Sequence, residues 1–250
     1  MRVDQKCLKP MINLKNKKIL IIGCGAIGGA AAEILNELGA KVVISDKDEL
    51  VLDKILSNLD KRQHHKVVFD VRQVDQIKNF IKKVVSVDGL KLDGLVYAVD
   101  KNLTASLMDT SLELLQNVMM VNFFAFIEVI KAFIGEEVYN PNSSIVAVSN
   151  YASLGADKGQ IAYGASKAAM DNSMPAIAKE IYHKGIRINS IRPAIVQSDK
   201  QLSEREKELV AMMQTGPIDP KILAQQIAFL LSDASSGVYG RHFDVRGYLV

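Results

Sequence analysis

Short apolar runs alternate with helical patterns along almost the whole chain. The runs are rich in Val, Ile and Leu with little polar alternation, which is typical of strands covered on both faces. They predict strands at Ile19–Gly23, Lys41–Ser45, Lys66–Asp70, Gly94–Val99, Ser144–Ser149, Ile186–Ile191 and His242–Val245. Apolar residues at helical spacing predict helices between them, at Ile27–Leu38, Glu49–Leu59, Val74–Val85, Ser111–Ile134, Ala162–His183 and Pro220–Leu231.

This order of elements predicts an α/β fold with a doubly wound parallel sheet of the Rossmann type and right-handed crossovers. No proline- or glycine-rich linker and no solenoid repeat divides the sequence. We therefore expect a single domain over residues 18–250, preceded by an N-terminal extension over residues 1–17.

The composition is that of an ordinary soluble domain, with 48% hydrophobic and 24% charged residues over 250 positions. The formal charge of +3 is spread along the chain, so we expect no nucleic-acid partner. We interpret the lysine run Lys15–Lys18 as a solvated end. The chain has two cysteines, Cys7 in the extension and Cys24 in a glycine-rich turn. These positions disfavour a structural disulfide between them, so we expect a reducing, cytoplasmic setting.

The nearly uncharged segment Ile19–Ala32 follows two lysines and superficially resembles a secretion signal. It begins far from Met1, however, and four glycines interrupt it. It is also too short and too rich in glycine to predict a membrane-spanning helix. We interpret it as a strand, a turn and a helix, and we expect no membrane partner.

The turn at residues 23–28 follows a predicted strand, opens a predicted helix and reads Gly-Cys-Gly-Ala-Ile-Gly. Gly23, Gly25 and Gly28 permit a tight turn and let backbone N–H groups approach a diphosphate at the positive end of the helix. Asp46 closes the next strand about twenty residues on, where a carboxylate can accept hydrogen bonds from ribose hydroxyls and repel a 2′-phosphate. The pattern predicts a dinucleotide site that prefers NAD. The neighbouring cation Lys47 leaves NADP as a second candidate cofactor. The alternative interpretation is that Asp46 caps a helix after an ordinary turn.

A second pattern places Tyr163 and Lys167 four residues apart on a predicted helix. Residues at this spacing share a face, so the phenol and the ammonium group can address one site. An ordinary tyrosine pKa is about 10, too high for a general base near neutrality. We expect the charge of Lys167 to lower the pKa of Tyr163 by favouring the phenolate.

With the glycine turn and the order of elements, these residues make the chain similar to the short-chain dehydrogenase/reductase family in its compact form, from about Lys18 to the C-terminus. Tyr163 and Lys167 match the family's Y-x-x-x-K pair, and Asn122 matches the helix asparagine that supports a proton relay. The resemblance implies that the cofactor is contacted by Gly23, Gly25, Ile27, Gly28, Asp46, Asp70, Val71, Ala98, Lys167 and Ser198.

The chain also departs from the family pattern. Asn150 stands where the resemblance implies the catalytic serine, and it can still donate an amide hydrogen bond to a substrate oxygen. Ser149 is a neighbouring hydroxyl, but strand alternation predicts that it points to the other side. The N-N-A-G segment of the family reads Tyr-Ala-Val-Asp at residues 97–100, and Asp100 is interpreted as facing solvent, steering substrate charge or weakening dinucleotide binding.

The resemblance implies an oxidoreductase that interconverts a carbonyl and an alcohol on a small molecule, with Tyr163, Lys167, Asn122 and Asn150 as catalytic residues. A non-catalytic dinucleotide-binding or scaffold protein is the main alternative. Nucleotide-sugar epimerase or dehydratase chemistry ranks last, because the stretch after Tyr163 leaves no room for the extra domain of the longer family members.

Three further expectations complete this picture. Residues 198–216 mix charged and apolar side chains and are interpreted as a substrate lid. The pair His64–His65 lacks companion ligands at metal spacing, so we expect a surface loop and no metal site. The family resemblance implies a homo-dimer or homo-tetramer that associates through the helices predicted at Ser111–Ile134 and Ala162–His183.

Overall fold

The computed structural model describes residues 12–60, 64–198, 207–208, 210–211 and 216–247. Within these residues the chain forms one sheet whose seven strands are β1 Lys18–Ile22, β2 Lys41–Ser45, β3 His65–Lys66, β4 Leu92–Tyr97, β5 Tyr139–Val148, β6 Arg187–Pro193 and β7 His242–Val245. The flanking helices are α1 Ala26–Glu37, α2 Glu49–Ser57, α3 Ile77–Ser86, α4 Leu112–Met119, α5 Ala125–Gly135, α6 Ile161–Ile181 and α7 Pro220–Leu231.

All strand pairs are parallel, and the strand order is β3-β2-β1-β4-β5-β6-β7. The predicted doubly wound parallel sheet is therefore confirmed. The strand order reverses between β1 and β4, which is the position where open parallel sheets bind ligands at their carboxyl edge.

The core consists of two apolar layers, one on each face of the sheet. One layer packs α3, α5 and α6 against residues such as Leu95 and Ile145, and the other packs α1 and α7 against residues such as Ile19 and Val146. Both faces of the central strands are thus buried, which explains why their sequences are continuous apolar runs.

The long predicted helix Ser111–Ile134 is helical throughout, but it contains a defect. A π-helical segment, Met120–Phe124, separates α4 from α5. The whole run Leu112–Gly135 is long and apolar enough to cross a membrane by composition. Its residues Phe126 and Phe133 are buried in the apolar layer on one face of the sheet, as in the core helix of a soluble protein.

The third strand is shorter than predicted, because only His65 and Lys66 pair with β2. Single backbone hydrogen bonds from Val67 and Phe69 to β2 and Asp46 continue beyond it, and then the chain turns at Asp70. The Phe69 ring stacks on Phe80 of α3 at 4.3 Å between ring centroids. Beyond Lys66 the chain is therefore held by these two hydrogen bonds and by the packing of Phe69 rather than by regular strand pairing.

Two interpretations of polar residues are wrong. Lys18 is buried, and its ammonium group donates to the carbonyl oxygens of Val84 and Leu90 and pairs with Asp88. His64 is buried too, and its Nδ1 accepts a 3.0 Å hydrogen bond from the backbone N–H of Val42. Lys18 satisfies carbonyl groups near the end of α3 and in the loop that follows it, and His64 satisfies a backbone N–H of β2, which composition alone does not reveal.

Candidate active site

The glycine turn lies at the carboxyl end of β1, beside the end of β4. Gly23 has a φ of +90°, and a Cβ atom built on it would lie 2.5 Å from the backbone nitrogen of Val99. A Cβ on Gly28 would lie 1.9 Å from the carbonyl oxygen of Gly23. Both glycines are therefore required by the backbone of the turn itself.

Gly25 has a different role, because no atom lies within 4 Å of the Cβ that another residue would carry there. It is the N-cap of α1, and no side chain caps the first turn of this helix. The free N–H groups and the positive end of the helix dipole thus face open space. This arrangement fits the diphosphate of a dinucleotide, as the sequence predicts.

A cavity of about 340 Å³ opens on the β2 side of this turn. Asp46 lines it and holds the turn, because its two carboxylate oxygens accept hydrogen bonds from the backbone N–H groups of Cys24 at 2.8 Å and Asp48 at 3.1 Å. The remaining predicted contacts on its wall are Gly23, Gly25, Asp70, Val71 and Ala98.

Three cationic residues, Lys47, Arg72 and Lys101, also line this cavity. The Arg72 guanidinium pairs with Asp70 through both carboxylate oxygens, at 3.1 and 2.9 Å from its Nε. This hydrogen bonding lowers the pKa of Asp70. Sequence reasoning missed Arg72, which could have been found from its position two residues after the predicted cofactor contact Asp70.

A second cavity of about 390 Å³ lies on the β5 and β6 side. Ala98 and Gly25 border both cavities, so the two form neighbouring halves of one groove along the carboxyl edge. The predicted residues on the wall of this second half are Gly25, Ile27, Gly28, Ala98, Asn150, Tyr163 and Ser198. Most of the predicted lid, residues 198–216, lies outside the described residues.

Tyr163 and Lys167 lie on one face of α6, as predicted. The Lys167 ammonium is 5.7 Å from the centroid of the Tyr163 ring, and its side chain is 1% exposed. It donates to the carbonyl oxygen of Val148 at 3.0 Å and forms an ion pair with Asp100 at 2.9 Å. Asp100 therefore faces the tyrosine–lysine pair, and its carboxylate borders both halves of the groove.

The electrostatics of Tyr163 are the reverse of the expectation. Its pKa is raised well above the ordinary value by burial, and next by the charge of Asp100 and a hydrogen bond to that carboxylate. The predicted lowering by Lys167 is therefore not found, because burial and Asp100 act in the opposite direction. The raised pKa keeps the Tyr163 phenol protonated near neutral pH, so its proton is available for transfer.

Asn122 lies in the π-helical segment, where such a bulge often marks a functional position. Its Oδ1 accepts from the backbone N–H of Lys101 at 2.8 Å, and its Nδ2 donates to the carbonyl oxygen of Lys101 at 3.2 Å and to Ser166 Oγ at 2.9 Å. The side chain thus ties α6 to the loop that carries Asp100. Both amide hydrogens of Asn122 are therefore engaged, and its predicted part in a proton relay stays a prediction.

Asn150 follows β5 and caps a short 3₁₀ turn, since its Oδ1 accepts from the backbone N–H of Ala152 at 2.9 Å. That bond fixes the amide and leaves the Nδ2 hydrogens for the groove. Ser149 also borders this cavity, and the direction of its side chain relative to Asn150 stays a prediction. Its hydroxyl is buried without a partner among the described residues.

With this geometry in view, comparison with known proteins identifies the family. A family profile described as enoyl-(acyl carrier protein) reductase matches residues 24–247. The chain belongs to the short-chain dehydrogenase/reductase family. The matched relatives are oxidoreductases, so the chain is an NAD(P)-dependent enzyme acting on a carbonyl/alcohol pair.

Individual relatives cover almost the whole chain. The 3-oxoacyl-[acyl-carrier-protein] reductase of Rickettsia felis is 29% identical over 248 residues, covering 95% of this chain and 98% of its own. The meso-2,3-butanediol dehydrogenase of Serratia marcescens is 27% identical over 239 residues, covering 93% and 94%.

Solved structures share the fold. A dehydrogenase/reductase from Sinorhizobium meliloti superposes with a TM-score of 0.88 at 22% identity, covering 95% of this chain and 96% of that one. A short-chain oxidoreductase from Pseudomonas aeruginosa, described as containing an atypical catalytic center, gives a TM-score of 0.85 at 25% identity, covering 95% and 98%.

Proposed function

We propose that this enzyme reduces a small carbonyl compound to an alcohol, with NADH as its cofactor. One observation carries the proposal: the protonated phenol of Tyr163 and the free amide group of Asn150 face one cavity that continues into the groove at the uncapped start of α1.

The nicotinamide of a bound cofactor would supply the hydride for this reduction. Gly25 and the first turn of α1 would hold the diphosphate, and Ile27 and Ser198 border the half of the groove next to Tyr163. Tyr163 then donates its proton to the carbonyl oxygen as negative charge develops there. Lys167 anchors the tyrosine end of α6 to β5 through Val148.

Asn150 takes the place of the usual serine in this proposal. Its Nδ2 donates to the substrate oxygen and polarises the carbonyl, while the bond from Ala152 holds the amide in orientation. An amide cannot pass a proton onward as a hydroxyl can, so proton delivery depends on Tyr163. Losing one such donor typically lowers the rate about a hundredfold or more.

The preference for NADH over NADPH rests on Asp46. Its carboxylate borders the adenosine half of the groove and is held there by two backbone hydrogen bonds, so it cannot easily turn away from a 2′-phosphate. The opposing cation Arg72 is already paired with Asp70. Fluorescence titration of both reduced cofactors tests this point, and equal or tighter binding of NADPH would overturn it.

The names of the relatives suggest the first substrates to try: ketones related to 2,3-butanediol and 3-oxoacyl thioesters. The purified chain should oxidise NADH in the presence of at least one compound from a broad carbonyl panel. Tyr163→Phe should abolish this turnover, because it removes the transferred proton while leaving the ring in place.

Asn150 provides the second part of the test. Asn150→Ala should lower kcat about a hundredfold, and Asn150→Ser should retain or raise it. Turnover that survives Tyr163→Phe would disprove the proposed chemistry. Dinucleotide binding without turnover across the panel would instead favour a non-catalytic dinucleotide-binding protein.

A further inference from the structure

We propose that Asp100 resupplies the proton that Tyr163 gives to the substrate, so that protons reach the active site through this carboxylate. The inference rests on the proposed reductive function and extends it to a residue that acts through Tyr163.

The position of Asp100 supports this role. Its carboxylate forms a 2.9 Å ion pair with Lys167, lines the same cavity as the buried Tyr163 phenol, and adds to burial in raising the pKa of that phenol. The Asp100 side chain is 43% exposed, whereas that of Lys167 is 1% exposed. Asp100 is therefore an acidic group that lies beside the buried tyrosine–lysine pair and is itself partly exposed.

The neighbouring polar groups have other partners. Lys167 donates to Val148 as well as pairing with Asp100, and both amide hydrogens of Asn122 are engaged by Lys101 and Ser166. A route through the Asn122 side chain would require these bonds to break. The route through Asp100 requires only rotation of a half-exposed carboxylate.

Asp100 is also held in place on the tyrosine side. The loop that follows it is tied to the π-helical segment by the two bonds between Lys101 and Asn122. Two further groups interact electrostatically with the carboxylate: Lys167 from α6 and Tyr97 from the end of β4, whose pKa is raised by burial and by Asp100. Asn122 and Ser166 contribute uncharged groups.

The proton balance of the step is simple. In each turnover the Tyr163 O–H bond breaks and its proton forms the new O–H bond of the product alcohol. The resulting phenolate accepts a proton that Asp100 has taken from solvent, which restores the phenol and the carboxylate. The bound reduced cofactor supplies the hydride, and no other reactant is required.

The decisive variant is Asp100→Asn, which keeps the size and the hydrogen-bond acceptor but cannot carry the proton. It should lower kcat at least tenfold and change KM by a smaller factor, because proton supply becomes limiting after the substrate has bound. The solvent deuterium isotope effect on kcat should increase. An unchanged kcat and isotope effect would overturn the proposal.

Chemical rescue separates proton supply from a structural role. Asp100→Ala should regain part of its activity when formate is added, and sodium chloride at equal ionic strength should have no effect. Glu180→Gln is the control: Glu180 is exposed on the same helix, seventeen residues beyond Tyr163 or about 25 Å along the axis. Its kcat should match the unmodified enzyme, and a formate-insensitive Asp100→Ala would count against the proposal.

A measurement without substrate keeps this test independent of the proposed function. In protein labelled with ¹³C at tyrosine Cζ, Tyr163→Phe assigns the Tyr163 signal. Asp100→Asn should lower the pH at which this phenol ionises, because a negative charge is removed beside it. If the pH at which Tyr163 ionises did not change in Asp100→Asn, the contact between Asp100 and Tyr163 would be overturned. If it changed but no substrate were turned over, only the reductase proposal would be contradicted.

Discussion

His64 lies outside the strands but forms a hydrogen bond with the backbone of the sheet. Its Nδ1 accepts from Val42 at the start of β2, and its Nε2 lies 2.8 Å from the side-chain oxygen of Asn36 on α1. Burial lowers the pKa of His64, and the neighbouring Asp60 opposes this effect. The neutral ring is thus the form that the fold requires.

This burial predicts a pH-dependent stability. Because the pKa of His64 is lower in the folded chain than its ordinary value of about 6.5, its contribution is present above that pH and lost as the pH falls below it. His64→Gln should therefore flatten the decrease in the free energy of unfolding between about pH 7 and pH 5. Urea denaturation across this range measures it; the exposed His183→Gln should leave the slope unchanged.

Asp46 combines two functions at residue scale, since it fixes the glycine turn and borders the adenosine half of the groove. Asp46→Ala should narrow the preference for NADH over NADPH by removing the repulsion of the 2′-phosphate. It should also destabilise the fold by about 1–2 kcal/mol, because two backbone N–H groups lose a charged acceptor. A cofactor preference that does not change would show that Asp46 acts on the turn alone.

At the scale of elements, the start of α1 offers a matched pair of glycine substitutions. Gly28→Ala places a Cβ 1.9 Å from the Gly23 carbonyl and should cost about 1–3 kcal/mol of stability. Gly25→Ala meets no atom within 4 Å, and its φ of −68° suits alanine, so stability should stay within about 0.5 kcal/mol.

The same pair separates folding from cofactor binding. The Gly25→Ala methyl group points into the space proposed for the diphosphate, so it should weaken NADH binding at least tenfold in a fluorescence titration. If Gly25→Ala bound NADH normally, the diphosphate would have to lie elsewhere. Thermal unfolding of both variants provides the stability comparison.

The elements were predictable where a local pattern determines them. Apolar runs located the central strands, and helical spacing located α1, α6 and α7, because burial on a regular element leaves a periodic signature. The short β3 and the π-helical segment depend on tertiary packing, such as the stacking of Phe69 on Phe80, and no local pattern encodes them.

The residues of the candidate site also fall into two groups, those predictable from local spacing and those whose contacts appear only in the folded chain. Gly23, Gly28, Tyr163 and Lys167 follow from spacing within one turn or one helix. The ion pair between Asp100 and Lys167 joins residues 67 positions apart, so only the folded chain reveals that Asp100 reverses the expected effect on Tyr163.

At the scale of the whole molecule, the surface carries exposed apolar side chains around α4, the π-helical segment and the start of α6. They include Leu107, Met108, Leu112, Phe124 and Ile161. Such a concentration is typical of a surface that another protein covers. We expect self-association through these helices into a dimer or tetramer.

This expectation can be tested with two surface leucines. Leu112→Glu should shift the molecular mass measured by light scattering toward the monomer, because it places a charge in the proposed interface. Leu50→Glu, on α2 and similarly exposed at 79%, should leave the mass unchanged. A monomer for the unmodified chain at micromolar concentration would contradict the prediction.

The thiol of Cys24 is a natural chemical probe of the glycine turn. It is buried, its Sγ donates to the carbonyl oxygen of Ser45, and burial together with the nearby Asp46 raises its pKa to about 12. Alkylating reagents attack the thiolate, so in the closed turn this cysteine reacts very slowly near neutral pH. The rate of its modification by iodoacetamide, followed by mass spectrometry of the peptide that contains it, therefore records how often the first turn of the nucleotide groove opens in solution.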